Sequence, residues 1–136
     1  MDKPPRVKPK LVAAPKIRGI YWCEFWKDVM LPEMWKKRPV LVVSYKNTLS
    51  GPCSVLAIST DPQDGMSAKW AHKLPIQVEQ GRDSWVVCNH IYTVSPSRLE
   101  QVGGGVVRLN EEEFNAILEK LLEWLPKIPD PTLNLE

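Results

Sequence analysis

Two short stretches place an indole among cations: Trp35-Lys36-Lys37 and Trp70-Ala71-His72-Lys73. A flat π-face can hold an unstacked base while neighbouring cations follow a phosphate backbone, so both stretches have the chemistry for binding a single-stranded nucleic acid. His90 follows Asn89 between two apolar runs. An imidazole with an unperturbed pKa of ~6.5 exchanges protons near neutrality, which leaves His90 open as a general base or acid, or as a structural histidine. Asn89 beside it is either a further nucleic-acid contact or a turn residue. His72 and His90 are the only histidines, and Cys23, Cys53 and Cys88 are few and widely spaced. That set lacks metal-ligand spacing and a paired disulfide framework, so no metal or cofactor is expected and the cysteines read as buried thiols in a reducing, cytoplasmic setting.

The elements that must position these groups follow from the patterning. With 136 residues, 43% of them hydrophobic, there is material for one core. The net charge of +2 is too small to predict nucleic-acid binding by itself. Six of the basic residues nevertheless fall within the first 18 positions, against Asp2 alone. Residues 1–15, with Pro4, Pro5, Pro9 and Pro15 among lysines, read as a flexible basic arm, and 127–136 as a Pro-rich tail. No apolar run is long enough to span a membrane. Between the tails, strands are expected at 20–26, 40–44, 54–59, 74–78, 85–88, 91–94 and 106–109, each rich in β-branched or aromatic residues and bounded by turn signals. Trp22 and Trp85 fall inside strands and read as core. One helix is expected after Asn110, a capping residue with Glu113 three positions on and Glu111 and Glu112 favouring the helix start. Its apolar stripe is Phe114, Ile117, Leu118, Leu121 and Leu125, and Pro126 ends it. The fold class is mainly β: a meander curling into a small barrel, closed by a C-terminal amphipathic helix.

Four stretches in order carry a more specific signal: Arg18-Gly19-Ile20-Tyr21-Trp22-Cys23-Glu24-Phe25, Lys37-Arg38-Pro39-Val40-Leu41-Val42-Val43-Ser44, Ala57-Ile58-Ser59-Thr60, and Val86 to Val94 with Ser97-Arg98-Leu99. Over 16–126 the chain resembles the PemK/MazF-type toxins of bacterial type II toxin–antitoxin systems. The resemblance implies an SH3-like barrel of the CcdB/PemK/MazF kind, a homodimer, a cognate antitoxin, and growth inhibition through metal-independent endoribonuclease activity on single-stranded RNA. It places the active-site arginine at Arg38, its hydroxyl partner at Thr60 or the adjacent Ser59, and a loop glutamate at Glu33. The chain differs where the loop 27–37 holds no glycine, and where Asn89, His90 and Tyr92 stand in place of an acidic residue, glutamine and arginine.

These assignments suit the chemistry. RNA cleaves when a 2′-hydroxyl is deprotonated in line with the adjacent phosphorus, so a protein must supply position, a base, an acid and charge stabilisation. A guanidinium is a planar, permanently charged fork that matches phosphate oxygens, the role open to Arg38. Thr60 or Ser59 could donate to the phosphate. Glu33 could serve as base or orient Arg38, and His90 as base or acid. The alternative is a non-catalytic barrel that binds a protein through the apolar loop around Met30 and Trp35.

Overall fold

The computed structural model describes residues 3–62 and 65–130, so Gln63 and Asp64 of the turn signal Asp61-Pro62-Gln63-Asp64-Gly65 that follows the expected 54–59 strand, and the 131–136 end of the tail, lie outside the described residues. Seven strands and one α-helix follow in order: β1 (Gly19–Glu24), β2 (Lys37–Val42), β3 (Cys53–Ser59), β4 (Ala71–Lys73), β5 (Trp85–Val94), β6 (Leu99–Gln101), β7 (Val107–Arg108) and α1 (Glu111–Trp124). The antiparallel sheet runs β4-β5-β3-β2-β1-β6, with β7 also on β1, and curls into a half-barrel.

Because alternate strand residues point to opposite faces, the sheet builds two cores. Ile20, Leu41, Leu56 and Ile58 meet Phe114, Ile117 and Leu121 of α1 on one face. Tyr21, Val40, Val42 and Val55 pack with Phe25 and Leu11 on the other. Full burial of a side chain such as Ile117 contributes about 2–3 kcal/mol. At Gly19 a side chain is excluded, since a Cβ would lie 2.7 Å from both the Lys16 carbonyl oxygen and the Tyr21 ring.

Several expectations need correction. The run 74–78 is no strand. Pro75 lacks a backbone donor, and pairing instead occupies the preceding Ala71–Lys73. Leu74 still enters the core, its N–H bonded to the Ser84 carbonyl at 2.9 Å. The two strands expected at 85–88 and 91–94 are one, so Asn89 does not turn the chain. Instead β5 bulges. Leu56 pairs with Ile91 and Ile58 with Val86, leaving Ala57 alone opposite residues 87–90. The bulge shifts the alternation: Cys88 faces the helix side, whereas Tyr92 and Val94 face the second core. Trp22 and Trp85 are half-buried and lie outside the core clusters.

Asn110 caps α1, its Oδ1 accepting from the Glu113 N–H at 2.8 Å. Leu125 is extended and exposed, because the residue before a proline is driven out of helical geometry. The described part of the arm has no regular structure, yet Leu11 is buried against the second core. No helix among the described residues is long and apolar enough to cross a membrane.

Candidate functional site

The β1–β2 loop gathers most of the chemistry. Arg38 is the second residue of β2, opposite Cys23 of β1 and on the same face as Val40, but at the strand's open end where its side chain is half-buried. Its Nε donates to the Trp35 carbonyl at 3.2 Å and its guanidinium carbon lies 5.4 Å from the Trp35 ring centroid. Among the described residues no carboxylate is within ion-pair distance of it. The guanidinium is therefore held on one edge by backbone and indole, and its remaining donors are uncommitted.

Trp35 is 40% exposed, with the Lys36 ammonium 4.0 Å from its ring centroid. Trp35, Lys36 and Lys37 line a 520 Å³ pocket together with Glu24, Phe25 and Trp26. This is one of the two indole–cation groups read from the sequence, and it stands assembled at the mouth of a concavity. Lys37 also pairs with Glu100 at 2.9 Å, as does Lys10 at 3.2 Å. Hydrogen bonds from Lys37 and then Lys10 hold the Glu100 carboxyl below the usual carboxylate range.

Glu33 does not reach Arg38 by any ion pair. Its Oε1 accepts from the Met30 N–H at 2.6 Å, closing a loop turn, and it lines a neighbouring 290 Å³ pocket with Trp26 and Tyr92. Ser59 and Thr60 separate at the end of β3. The β2–β3 ladder ends at Val40–Ala57, so Arg38 and Ser59 each lie two residues beyond the last pair, on the sheet face of Val40 and Ala57. Ser59 is buried and its hydroxyl accepts from the Asp61 N–H at 3.1 Å. Thr60 lies one residue past the strand, with Arg82 Nη1 3.4 Å from its hydroxyl.

Asn89 and His90 occupy the β5 bulge. His90 Nδ1 is buried without a hydrogen-bond partner, and burial pushes the imidazole pKa down, so the ring is neutral near pH 7. No contact joins it to Arg38. The second indole–cation group is not part of this constellation. Trp70 packs edge-on against Trp124 at 5.3 Å, His72 Nε2 is bonded to Glu113, and Lys73 pairs with Asp83 at 3.4 Å. These residues belong to the β4 edge, two strands beyond the neighbour of β2, and fasten it to α1 and the following turn. Sequence proximity of Trp70, His72 and Lys73 signalled composition without revealing that each already had an intramolecular partner.

Two contributors escaped the sequence reading. Tyr92 accepts from the Met34 N–H at 2.8 Å, pinning the β1–β2 loop to β5, and its ring packs against Phe25 and Trp26. Arg98 stacks over Trp26 at 4.6 Å and donates to the Glu24 carbonyl at 3.0 Å. Its local signal was the Ser95-capped Pro-Ser-Arg turn, which fixes its position before β6. Burial pushes Cys23 up to about 12 and Cys53 and Cys88 up to about 11, which makes all three inert thiols. Among the described residues no three His, Cys, Asp or Glu side chains are grouped to hold a metal ion.

Residues 16–125 match the family described as PemK-like, MazF-like toxin of type II toxin–antitoxin system. Among solved structures, MazF from Deinococcus radiodurans is similar over 81% of this chain and 94% of its own, at 18% identity and a TM-score of 0.65. The Mycobacterium tuberculosis toxin MazF-mt6 is similar over 79% of this chain and 95% of its own, at 19% identity and a TM-score of 0.56. An endoribonuclease solved in complex with its cognate antitoxin, from a mycobacterial species, is similar over 85% of this chain and all of its own, at 18% identity and a TM-score of 0.58. No curated protein matches the chain by sequence.

Proposed function

We propose, from the premise that the chain belongs to the PemK-like, MazF-like toxins of type II toxin–antitoxin systems, that it is a cytoplasmic endoribonuclease cutting single-stranded RNA, mRNA included, without a metal. The observation that carries this reading is Arg38: a half-buried guanidinium with no acid partner among the described residues, oriented by the carbonyl and ring of Trp35, which itself lines an open pocket. In the reaction a base removes the proton of the 2′-hydroxyl, the oxygen attacks the adjacent phosphorus, and the 5′-oxygen leaves with a proton from an acid. The products are a 2′,3′-cyclic phosphate and a 5′-hydroxyl. Arg38 neutralises the charge that builds on the non-bridging oxygens, its fork matching their spacing. Ser59 or Thr60 donates a further hydrogen bond. His90 is the candidate base or acid of this scheme, although its Nδ1 is buried, and Glu33 positions the loop from within. Trp35 offers a stacking face and Lys36 and Lys37 offer charge for the strand. A second copy and an antitoxin are the protein partners of this reading, and growth inhibition is its cellular outcome.

Met30 and Leu31 are 78% and 79% exposed on the same loop, which favours a second reading in which this apolar rim binds a protein and the barrel has no catalytic role. One experiment separates the two. Purified protein is incubated with a long single-stranded RNA in EDTA, and fragment ends are analysed. Discrete fragments with cyclic phosphate ends, reduced about 10²–10³-fold in rate by Arg38→Ala, support the enzyme. Intact RNA with the wild type, or equal cleavage by Arg38→Ala, refutes it.

A further inference from the structure

The basic arm lies outside the span matched to the family, yet its described part is fastened to the barrel at several points. Leu11 is buried in the second core, the Val7 carbonyl accepts from the Ser97 hydroxyl, and Arg6 Nη1 donates to the Ser50 carbonyl at 3.1 Å. Asn47 Nδ2 reaches the Pro15 carbonyl at 3.1 Å. Backbone and Leu11 hold the arm down, while Lys3, Arg6, Lys8 and Lys10 remain exposed. At Lys10 the arm meets the site itself, because Lys10 and Lys37 share the Glu100 carboxylate. Two cations around one anion leave net positive charge beside the pocket wall.

The concavities also adjoin one another through shared lining residues. A 440 Å³ groove beside Arg6, Val7 and Lys8 shares Val7, Ser95 and Ser97 with a second groove, which in turn shares Glu24 with the Trp35 pocket. Arg98 stands at that junction, over Trp26 and against the Glu24 carbonyl. We infer that the arm is an RNA-binding rail: it extends the Trp35 pocket by adjoining grooves lined by Arg6 and Lys8, with Lys3 and Lys10 exposed on the same arm, and it holds the phosphate backbone of a strand already seated on Trp35. This rests on the RNA reading above and adds to it a footprint longer than the barrel supplies. Between Lys3 and Lys10 the rail spans at most roughly 25 Å of extended chain. Lys3 and Lys8 have no acid partner among the described residues, so a bound strand would release one counterion for each phosphate they neutralise.

The full-length chain tests this with Lys3→Gln/Lys8→Gln, two substitutions that leave the anchoring contacts untouched. Binding is measured by fluorescence anisotropy against a 20-nucleotide strand with every 2′-hydroxyl replaced by hydrogen, and against a 4-nucleotide strand of the same type, from 50 to 200 mM salt. For the long strand the salt slope falls by about 1.4, so the affinity advantage of the wild type shrinks about sevenfold across that range. The short strand, which occupies the pocket alone, binds both proteins alike. An unchanged slope with the long strand overturns the rail while wild-type binding upholds the RNA reading. If the wild type binds neither strand, the RNA reading falls with it. A poly-glutamate peptide that binds the wild type as tightly as the long strand, and loses as much in the variant, would make the arm a general acidic-partner surface and overturn its assignment to RNA.

Discussion

Tyr92→Phe isolates one hydrogen bond that holds the β1–β2 loop to the barrel. The hydroxyl accepts from the Met34 N–H at 2.8 Å, while the ring lies 5.1 Å from Phe25 and 6.4 Å from Trp26. Phenylalanine keeps the ring and deletes the acceptor alone. A neutral hydrogen bond of this kind contributes ~0.5–1.5 kcal/mol net, and a donor left without a partner costs ~1–3 kcal/mol when fully buried. Met34 is only partly buried, so water recovers some of that cost and the loss is about 1.4 kcal/mol, a tenfold change in the loop-opening equilibrium. Amide hydrogen exchange reads it directly. The Met34 amide should exchange about tenfold faster, with Trp35 and Lys36 following, while Leu41 and Leu56 in the central strands stay slow. Unchanged exchange at Met34 would refute the pin. A uniform acceleration reaching Leu41 and Leu56 would show that the loop does not open as a separate unit.

Three further perturbations test the core and the buried groups. Burial lowers the His90 pKa, so the unfolded chain binds the proton first as pH falls below ~6.5 and stability drops toward the lowered value; His90→Asn should flatten the decline in guanidinium midpoint between pH 7.5 and 5.5, and parallel declines would refute it. With thiol pKa values raised to about 11 and 12, only about one thiol in a thousand or fewer ionises at pH 8. Iodoacetamide should therefore leave the native protein unlabelled while the denatured chain takes up three groups, and rapid labelling of any native cysteine would contradict the burial. Gly19→Ala forces a Cβ to within 2.7 Å of the Lys16 carbonyl and the Tyr21 ring and should cost about 1–3 kcal/mol by chemical denaturation, whereas Gly104→Ala, with open space around it, should be near neutral.

Local signals carried much of the architecture. Asn110 and Pro126 bracket α1 because a side-chain cap and a missing donor act within one turn, independent of the rest of the chain. The apolar, β-branched runs of β1, β2 and β3 with their flanking turn signals were enough to place three strands, and the ordered motifs around Arg18, Arg38 and Ala57 were enough to recognise the family. Trp35, Lys36 and Lys37 came together at a pocket because three consecutive residues have little room to part.

What depended on tertiary structure was which polar groups remained uncommitted. Trp35 and Trp70 have the same kind of neighbours in the sequence, but Trp70 found Trp124 and His72 found Glu113 across 54 and 41 positions. Such pairings are set by how α1 lies on the sheet, and no window of local sequence contains them. The β5 bulge is likewise a matter of strand register: Asn89 looks like a turn residue until β3 supplies one residue opposite four. The arm shows the same division. Its prolines and lysines specify an extended, charged segment, while the side on which that charge lies follows from Leu11 finding a core assembled by strands far along the chain. Residue type determines what a group can do, and packing determines whether its capacity is already spent within the molecule.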